Sequence, residues 1–305
     1  MEFKQIKVLV GILIPVLFFS CNNNNEKDIS QEELVKVNIR AGIDLQSTAY
    51  DSEWSANDAI GIAMMDYERI HMIDNIYNYR YYTPSGSESF IPASEEQVLY
   101  YPWDGSQVYF KAYYPYLEDL SPEMRFNVNV ENQTNLQAID IMTGKHLSGF
   151  SKTDPNADLR MYHRLSKLIF RFFYEEGLEE LSSLDYDVIV KGMKVSGTCD
   201  ILNDTVYVDN VIRNIRIPDR GLEAQTTGIV MPRPAGRGVD FDFDFANGRG
   251  FTAAMSDTLQ LLSGHKYMFY IRLEGKDIPP GPVATIFKVD IADWIAGPDS
   301  WLVAQ

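Results

Sequence analysis

Cysteine is nearly missing from this chain: 305 residues contain two, Cys21 and Cys199. That excludes a disulfide-stapled scaffold and leaves the fold to be held by an apolar core. Positive charge is also scarce, with 27 Lys and Arg against 43 Asp and Glu and a formal net charge of −16. The far field of such a chain repels nucleic acid and anionic lipid, so neither is expected as a partner, and the acidity is read as solubility and mutual repulsion at a crowded surface. The sole extended apolar run, residues 8–19, is too short to cross a bilayer. The four histidines, His71, His146, His163 and His265, stand apart without the spacing of metal ligands. No G-x-S-x-G turn, phosphate-cradling glycine loop or dinucleotide fingerprint occurs. With so many carboxylates a glycosidase pair can be drawn anywhere on paper, and composition singles none out. No catalytic residue, metal or cofactor is therefore expected, and the chain is not read as an enzyme.

At the N-terminus, Lys4 and Lys7 precede the apolar run 8–19, the layout of a signal peptide. The segment Leu17-Phe18-Phe19-Ser20-Cys21 resembles a lipobox, the cleavage site of bacterial lipoprotein signal peptides. Cleavage would follow residue 20, the Cys21 thiol would carry a diacylglyceryl group, and the new N-terminus could be acylated. Two or more acyl chains anchor stably where one does not. The alternative is an ordinary signal peptide with a chance cysteine. Residues 21–33, with Asn22 to Asn25 in a row, form a polar tether that has nothing to bury. A lipidated Cys21 leaves Cys199 without a partner in the chain. About 280 mature residues fit one large or two medium domains.

Alternation of period two recurs along the chain, and no long segment of period 3.6 does. Val35, Val37, Ile39, Ala41, Ile43 and Leu45 share one face of a strand, with Lys36, Asn38, Arg40, Gly42 and Asp44 on the other. Residues 108–114 and 168–173 alternate likewise, and further strands are expected at 186–195, 205–211, 239–245, 267–273 and 285–291. Turn clusters such as Asp104-Gly105 and Asn247-Gly248 separate them. Many short strands between turns indicate antiparallel sandwiches. Helix is minor, with one turn conceivable at residues 30–34. A small, polar stretch at 148–158 suggests two β-sandwich domains, 34–157 and 158–305.

Two groups of residues invite a ligand. Asp240, Asp242 and Asp244 alternate with Phe241, Phe243 and Phe245, which lines three carboxylates on one strand face. Calcium wants several oxygens, but same-face residues lie roughly 7 Å apart along a strand. A solvated face over a buried aromatic one is the simpler account. The tyrosine-rich segments 77–82 and 109–116 could stack on sugars, although their alternation fits half-buried strand faces better.

In order along the chain, several pieces resemble the fimbrillin-like proteins of Bacteroidetes, subunits of type V pili. They are the lipobox at Cys21, the strand VKVNIRAGI at 35–43, and Trp54 followed by Asn57-Asp58-Ala59-Ile60-Gly61-Ile62. After these come Phe110-Lys111-Ala112-Tyr113-Tyr114-Pro115, Asp140-Ile141-Met142, Tyr162-His163-Arg164-Leu165-Ser166-Lys167-Leu168, and the closing strand 289–294. The resemblance implies an all-β fold of two transthyretin-like antiparallel β-sandwich domains, with Trp54 and His163 as core or interdomain positions. It also implies assembly by donor-strand exchange. A protease that cuts after arginine would remove the first strand, and a strand from the next subunit would fill the groove. The removable strand would be the 35–45 segment, whose six one-face apolar residues are worth at most about 5–10 kcal/mol by area.

The sequence departs from that pattern in one respect. The loop 46–54 has no arginine or lysine, so Arg40, within the strand, is the single candidate cleavage position before Arg69. An uncut subunit would suit an anchor or a terminating position. The expected partners are other pilus subunits, the outer membrane through a lipid, and a host or bacterial surface receptor. The location would be the outer membrane and the pilus. The alternative from a different class is a glycan-binding surface lipoprotein of the outer membrane.

Overall fold

The computed structural model describes residues 34–43, 53–144, 147–219, 225–275 and 282–294, and the backbone of 302–303. Cys21, Leu45, the signal peptide, the tether and the possible turn at 30–34 lie outside the described residues, Leu34 excepted.

Five strands open the chain: β1 (Asn38–Ile43), β2 (Ala59–Met65), β3 (Tyr79–Tyr82), β4 (Ser89–Pro92) and β5 (Val108–Tyr114). The sixth, β6 (Arg125–Asn129), leaves them to pair elsewhere. A single helical turn, α1 (Leu136–Ile139), follows, its Ala138 N–H donating to the Asn135 side chain. The strands β7 (Met142–Gly144), β8 (Leu147–Phe150) and β9 (Asn156–His163) then return to the first sheet. The order β2-β3-β4-β1-β9-β7-β5 is closed by pairing of β5 with β2, so the sheet forms a ring, with β8 beside β5. The polar stretch 148–158 falls within this ring: β8, a tight turn bridged at Ser151 and Asp154, and β9. The chain leaves the sheet only after His163.

The second half supplies β10 (Ser166–Tyr174), β11 (Tyr186–Lys194), β12 (Ser196–Asp200), β13 (Thr205–Val208), β14 (Ile212–Pro218) and β15 (Gln225–Val230). After them come β16 (Asp240–Phe245), β17 (Gly250–Ala254), β18 (His265–Glu274), β19 (Val283–Asp293) and the short β20 (Leu302–Val303). One sheet runs β15-β10-β18-β19-β20 and another β14-β11-β16-β17, while β6 joins β12 and β13. The two larger sheets meet through rings: Phe170 lies edge-on to Phe241 at 5.1 Å, and Phe172 to Phe243 at 5.1 Å. The alternation of VDFDFDF thus reports a buried aromatic face, as its pattern requires. Two pairings are parallel, β1 with β9 and β10 with β18. Periodicity is blind to strand direction, so this could not be read from the sequence.

All seven residues of β5 are buried, unlike the half-buried strand expected at 109–116. Val108, Phe110, Ala112 and Tyr114 belong to the core of the first ring, whereas Tyr113 belongs to the core of the second half. The strand is a wall shared by both. Gly61 stands opposite Tyr113 in register, and a Cβ there would fall 2.0 Å from the tyrosine ring. Only glycine admits that close approach.

Lys111, on the Tyr113 side of this wall, is fully buried. Its Nζ lies 2.6 Å from Asp204 Oδ2 and donates to the Gly144 carbonyl at 3.2 Å. Asp204 also accepts from the Thr143 hydroxyl at 2.5 Å and pairs with Arg164 Nη2 at 3.2 Å. Burial pulls the Lys111 pKa down, and the Asp204 carboxylate opposes it. One carboxylate from the turn after β12 therefore neutralises cations of β5 and of the segment after β9. Replacing Asp204 with Ala strands a buried charge and is expected to cost about 3–5 kcal/mol in denaturant unfolding. The pair Lys111→Met with Asp204→Asn should recover the part of that loss due to Lys111, Asn being compatible with the positive φ at 204, while Arg164 stays without its carboxylate.

Candidate functional site

The strand that resemblance marks as removable is β1, and its surroundings define the site. Alternation drives Val37, Ile39, Ala41 and Ile43 inward, each 5 % exposed or less, while Asn38 and Arg40 face outward. Val35 is half-buried against the same core. One edge of β1 pairs with β9 in parallel over six residues, Asn38 with Asn156 through Ile43 with Met161. The other meets β4, Ile39 opposite Phe90 and Arg40 opposite Ser89. Further bonds fix the register: the Val37 N–H donates to the Leu99 carbonyl at 2.9 Å, and the Ala41 N–H to that of Glu88 at 2.8 Å. The strand is thus interior to the ring rather than at an edge. Among the described residues its pairing with β9 is the one parallel pairing between strands of this ring.

Trp54 is the side chain that closes over it. The indole Nε1 donates to the Ala41 carbonyl at 2.6 Å, and the ring sits edge-on to Phe90 at 5.2 Å and Tyr114 at 5.3 Å. Sequence reading gave Trp54 as a core or interdomain position, but the bond to β1 was beyond it, because nothing local to Trp54 specifies a partner 13 residues upstream.

Arg40 is exposed and held between two carboxylates, with Nη2 at 3.1 Å from Glu88 and Nε at 3.7 Å from Asp158. These groups line a shallow cavity of about 210 Å³ with Gly42, Ile43 and Leu159. An arginine side chain is therefore on offer to a visitor, but the peptide that follows it is not. The Ala41 N–H is occupied by Glu88, and both strand edges are hydrogen-bonded.

Among the described residues His163 makes a buried histidine–carboxylate pair of the kind found in catalytic triads, and His265 pairs with Asp293 at 3.1 Å nearer the surface. The His163 Nδ1 lies 2.7 Å from Asp140 Oδ1, and its ring stacks on Trp294 at 3.9 Å and 3°. A triad would place a nucleophile at Nε2, and that atom has no hydrogen-bond partner among the described residues. Cys199 is far from activation, since burial pushes its thiol up to about 12. The Asp240 row remains a strand face: Asp242 pairs with Lys191 at 2.7 Å and accepts from the Thr252 hydroxyl. Among the described residues no three His, Cys, Asp or Glu side chains cluster closely enough to hold a metal ion. Half of the tyrosines in 77–82 and 109–116 are interior, and the rest are half-buried. Tyr81, Tyr109, Tyr113 and Tyr114 are buried, and the Tyr81 hydroxyl accepts the Leu99 N–H.

The fimbrillin-like family model matches residues 47–294. The chain belongs to the fimbrillin-like family. It is 28 % identical over 304 residues to Fim1C of Bacteroides uniformis, a candidate fimbrium subunit, with 96 % of each chain covered. A crystal structure of a candidate cell adhesion protein from Bacteroides uniformis superposes with a TM-score of 0.71 at 26 % identity, covering 85 % of this chain and 98 % of that one. Another, from Bacteroides ovatus, gives 0.68 at 17 % identity and 86 % and 99 % coverage, which shows the shared fold. This is a family of fimbrial and cell adhesion proteins.

Trp54→Phe keeps the ring packing and deletes the bond to Ala41. It is expected to lower stability by about 1–2 kcal/mol and to speed amide exchange selectively in residues 37–43, read by hydrogen-exchange mass spectrometry.

Proposed function

We propose that this chain is a building block of a surface pilus, assembled when β1 is exchanged for a strand of a neighbouring subunit. The observation that carries this is the setting of β1, a parallel strand inserted between β9 and β4 with its apolar side chains seated in a core otherwise built by later strands. Withdrawing it leaves main-chain donors and acceptors of two strands unpaired, together with a row of pockets two residues apart. A strand of like alternation restores both, the backbone bonds giving affinity and the pockets giving register. Each fully buried aliphatic side chain is worth about 1.5–3 kcal/mol, so an empty groove strongly favours a replacement.

In this account Cys21 carries the lipid that holds the precursor at the outer membrane, and the ring and the later sheets are two transthyretin-like sandwiches. Arg40 is the processing position, reached only when β1 loosens, because in the closed ring the following peptide is bonded on both edges. The chain then has two fates. Opened and cut, it accepts a donor strand; left whole, it keeps its plug and its lipid and serves as an anchor or a terminator.

A variant lacking residues 1–43 tests the groove. It should associate with rising concentration into species that resist SDS, and a synthetic peptide of residues 34–45 should cap it, return it to monomer and raise its Tm. A truncated chain that stays monomeric and ignores the peptide would refute strand exchange. For processing, an arginine-specific protease should release a new N-terminal Ala41 from the folded full chain about tenfold or more slowly than from the free peptide, because cleavage waits on local opening. Equal rates, measured by mass spectrometry, would contradict a sheltered Arg40.

A further inference from the structure

The outer face of β10, β18 and β19 carries rings and cations in alternation. Arg171 of β10 lies opposite Tyr270 of β18, which lies opposite Lys288 of β19. In the next row on the same face, Phe173 lies opposite Arg272. The register of β18 and β19 slips between Tyr270 and Ile271, and the extra residue on β19 is Phe287. The bulge places this ring beside both rows. The three rings touch one another, with centroids 6.1 Å apart for Phe173 and Tyr270, 5.3 Å for Phe173 and Phe287, and 6.2 Å for Tyr270 and Phe287. A cation lies over each: Arg171 at 5.8 Å from Phe173, Arg272 at 5.1 Å from Phe287, and Lys288 at 4.6 Å from Tyr270.

Burial and charge set this face apart from its surroundings. Farther along the same strands Ile169, Met268 and Asp290 share the outward orientation yet are buried, whereas Phe173 and Phe287 are 39 % and 45 % exposed. Lys288 is neutralised by Asp290 at 2.8 Å. Arg171 and Arg272 are exposed and have no carboxylate partner among the described residues. The two guanidiniums therefore share one sheet face with three rings in a chain of net charge −16. Where acidic side chains are abundant and none has been placed beside them, a negative group from outside is the natural complement.

We propose that this face binds a carbohydrate chain bearing carboxylates, with sugar C–H faces on Phe173, Tyr270 and Phe287 and acid groups on Arg171 and Arg272. A sheet face, unlike a sheet edge, offers a visitor no backbone bonds, so a peptide cannot join it by strand addition. What it offers is aromatic surface interleaved with planar, bidentate donors. A polymer with an apolar ring face and one carboxylate per unit uses both kinds of group at once. This face is remote in sequence from β1, so it operates whether or not that strand is exchanged.

The test uses the full chain at about 150 mM salt, where the far field of the net charge is screened beyond about 8 Å, and three probes of known composition: oligogalacturonate, neutral dextran and polyglutamate. Oligogalacturonate should bind and outbind both others. The double variant Arg171→Glu with Arg272→Glu, and separately Phe287→Ser, should each lose about tenfold or more in affinity. All three substitutions lie at exposed positions, and circular dichroism verifies that the variants fold. Absence of oligogalacturonate binding, equal binding by the variants, or polyglutamate binding as tightly as the sugar would overturn the proposal, the last by pointing to an acidic protein partner.

Discussion

Backbone pairing across β1 is the constraint on which the first half of this molecule rests. A sheet that curls until its ends approach must either seal or leave two rows of peptide groups facing each other across a gap too narrow for water to serve well. Here the seal is a six-residue strand near the start of the described residues, running with β9 and against β4. Everything nearby is organised to hold it: Leu99 and Glu88 receive its N–H groups, and Trp54 donates to its carbonyl. Because the strand enters from one end of the sequence and connects to the rest through one covalent link, its hold is noncovalent almost entirely. That combination makes a part which is structurally essential and yet separable.

Charge has a different task on each face of the molecule. Inside, Lys111, Arg164 and Asp204 form a network in which one carboxylate serves two cations. The arrangement is specific because any slip leaves a charge without a counterion in a poorly solvated place. On the outside, Arg40 between Glu88 and Asp158 gains little in energy, as exposed pairs do. Its carboxylate neighbours instead decide how the arginine presents itself. The exposed arginines on β10 and β18 have no such neighbours and are set instead among the rings of Phe173, Tyr270 and Phe287.

Much of this was legible in the sequence, for identifiable reasons. The strands 108–114 and 239–245 follow directly from alternation, because each side chain's fate is set by the pleat. The order of Trp54, Gly61, Lys111 and His163 along the chain pointed to the family. What stayed hidden is long-range. Nothing in residues 38–43 reveals that β9, more than a hundred residues on, will lie parallel to them. Residues 148–158 look like a linker since turns and linkers draw on the same small, polar residues. The tyrosines of 109–116 read best as a half-buried strand face, and Tyr109, Tyr113 and Tyr114 became fully buried because two separate cores claim the two sides of one strand. The aromatic and cationic face was invisible for a similar reason: it is assembled from three strands and a bulge that no local pattern announces.

The doubly buried β5 has a mechanical corollary. A filament transmits pull from one subunit to the next, and a chain built of independent lobes on a linker would stretch at the linker first. In this chain the strand lining one core is also the lining of the other, and Tyr113 fills the notch left by Gly61. Tension therefore has no soft joint at which to concentrate, and the ring and the later sheets must yield together or not at all.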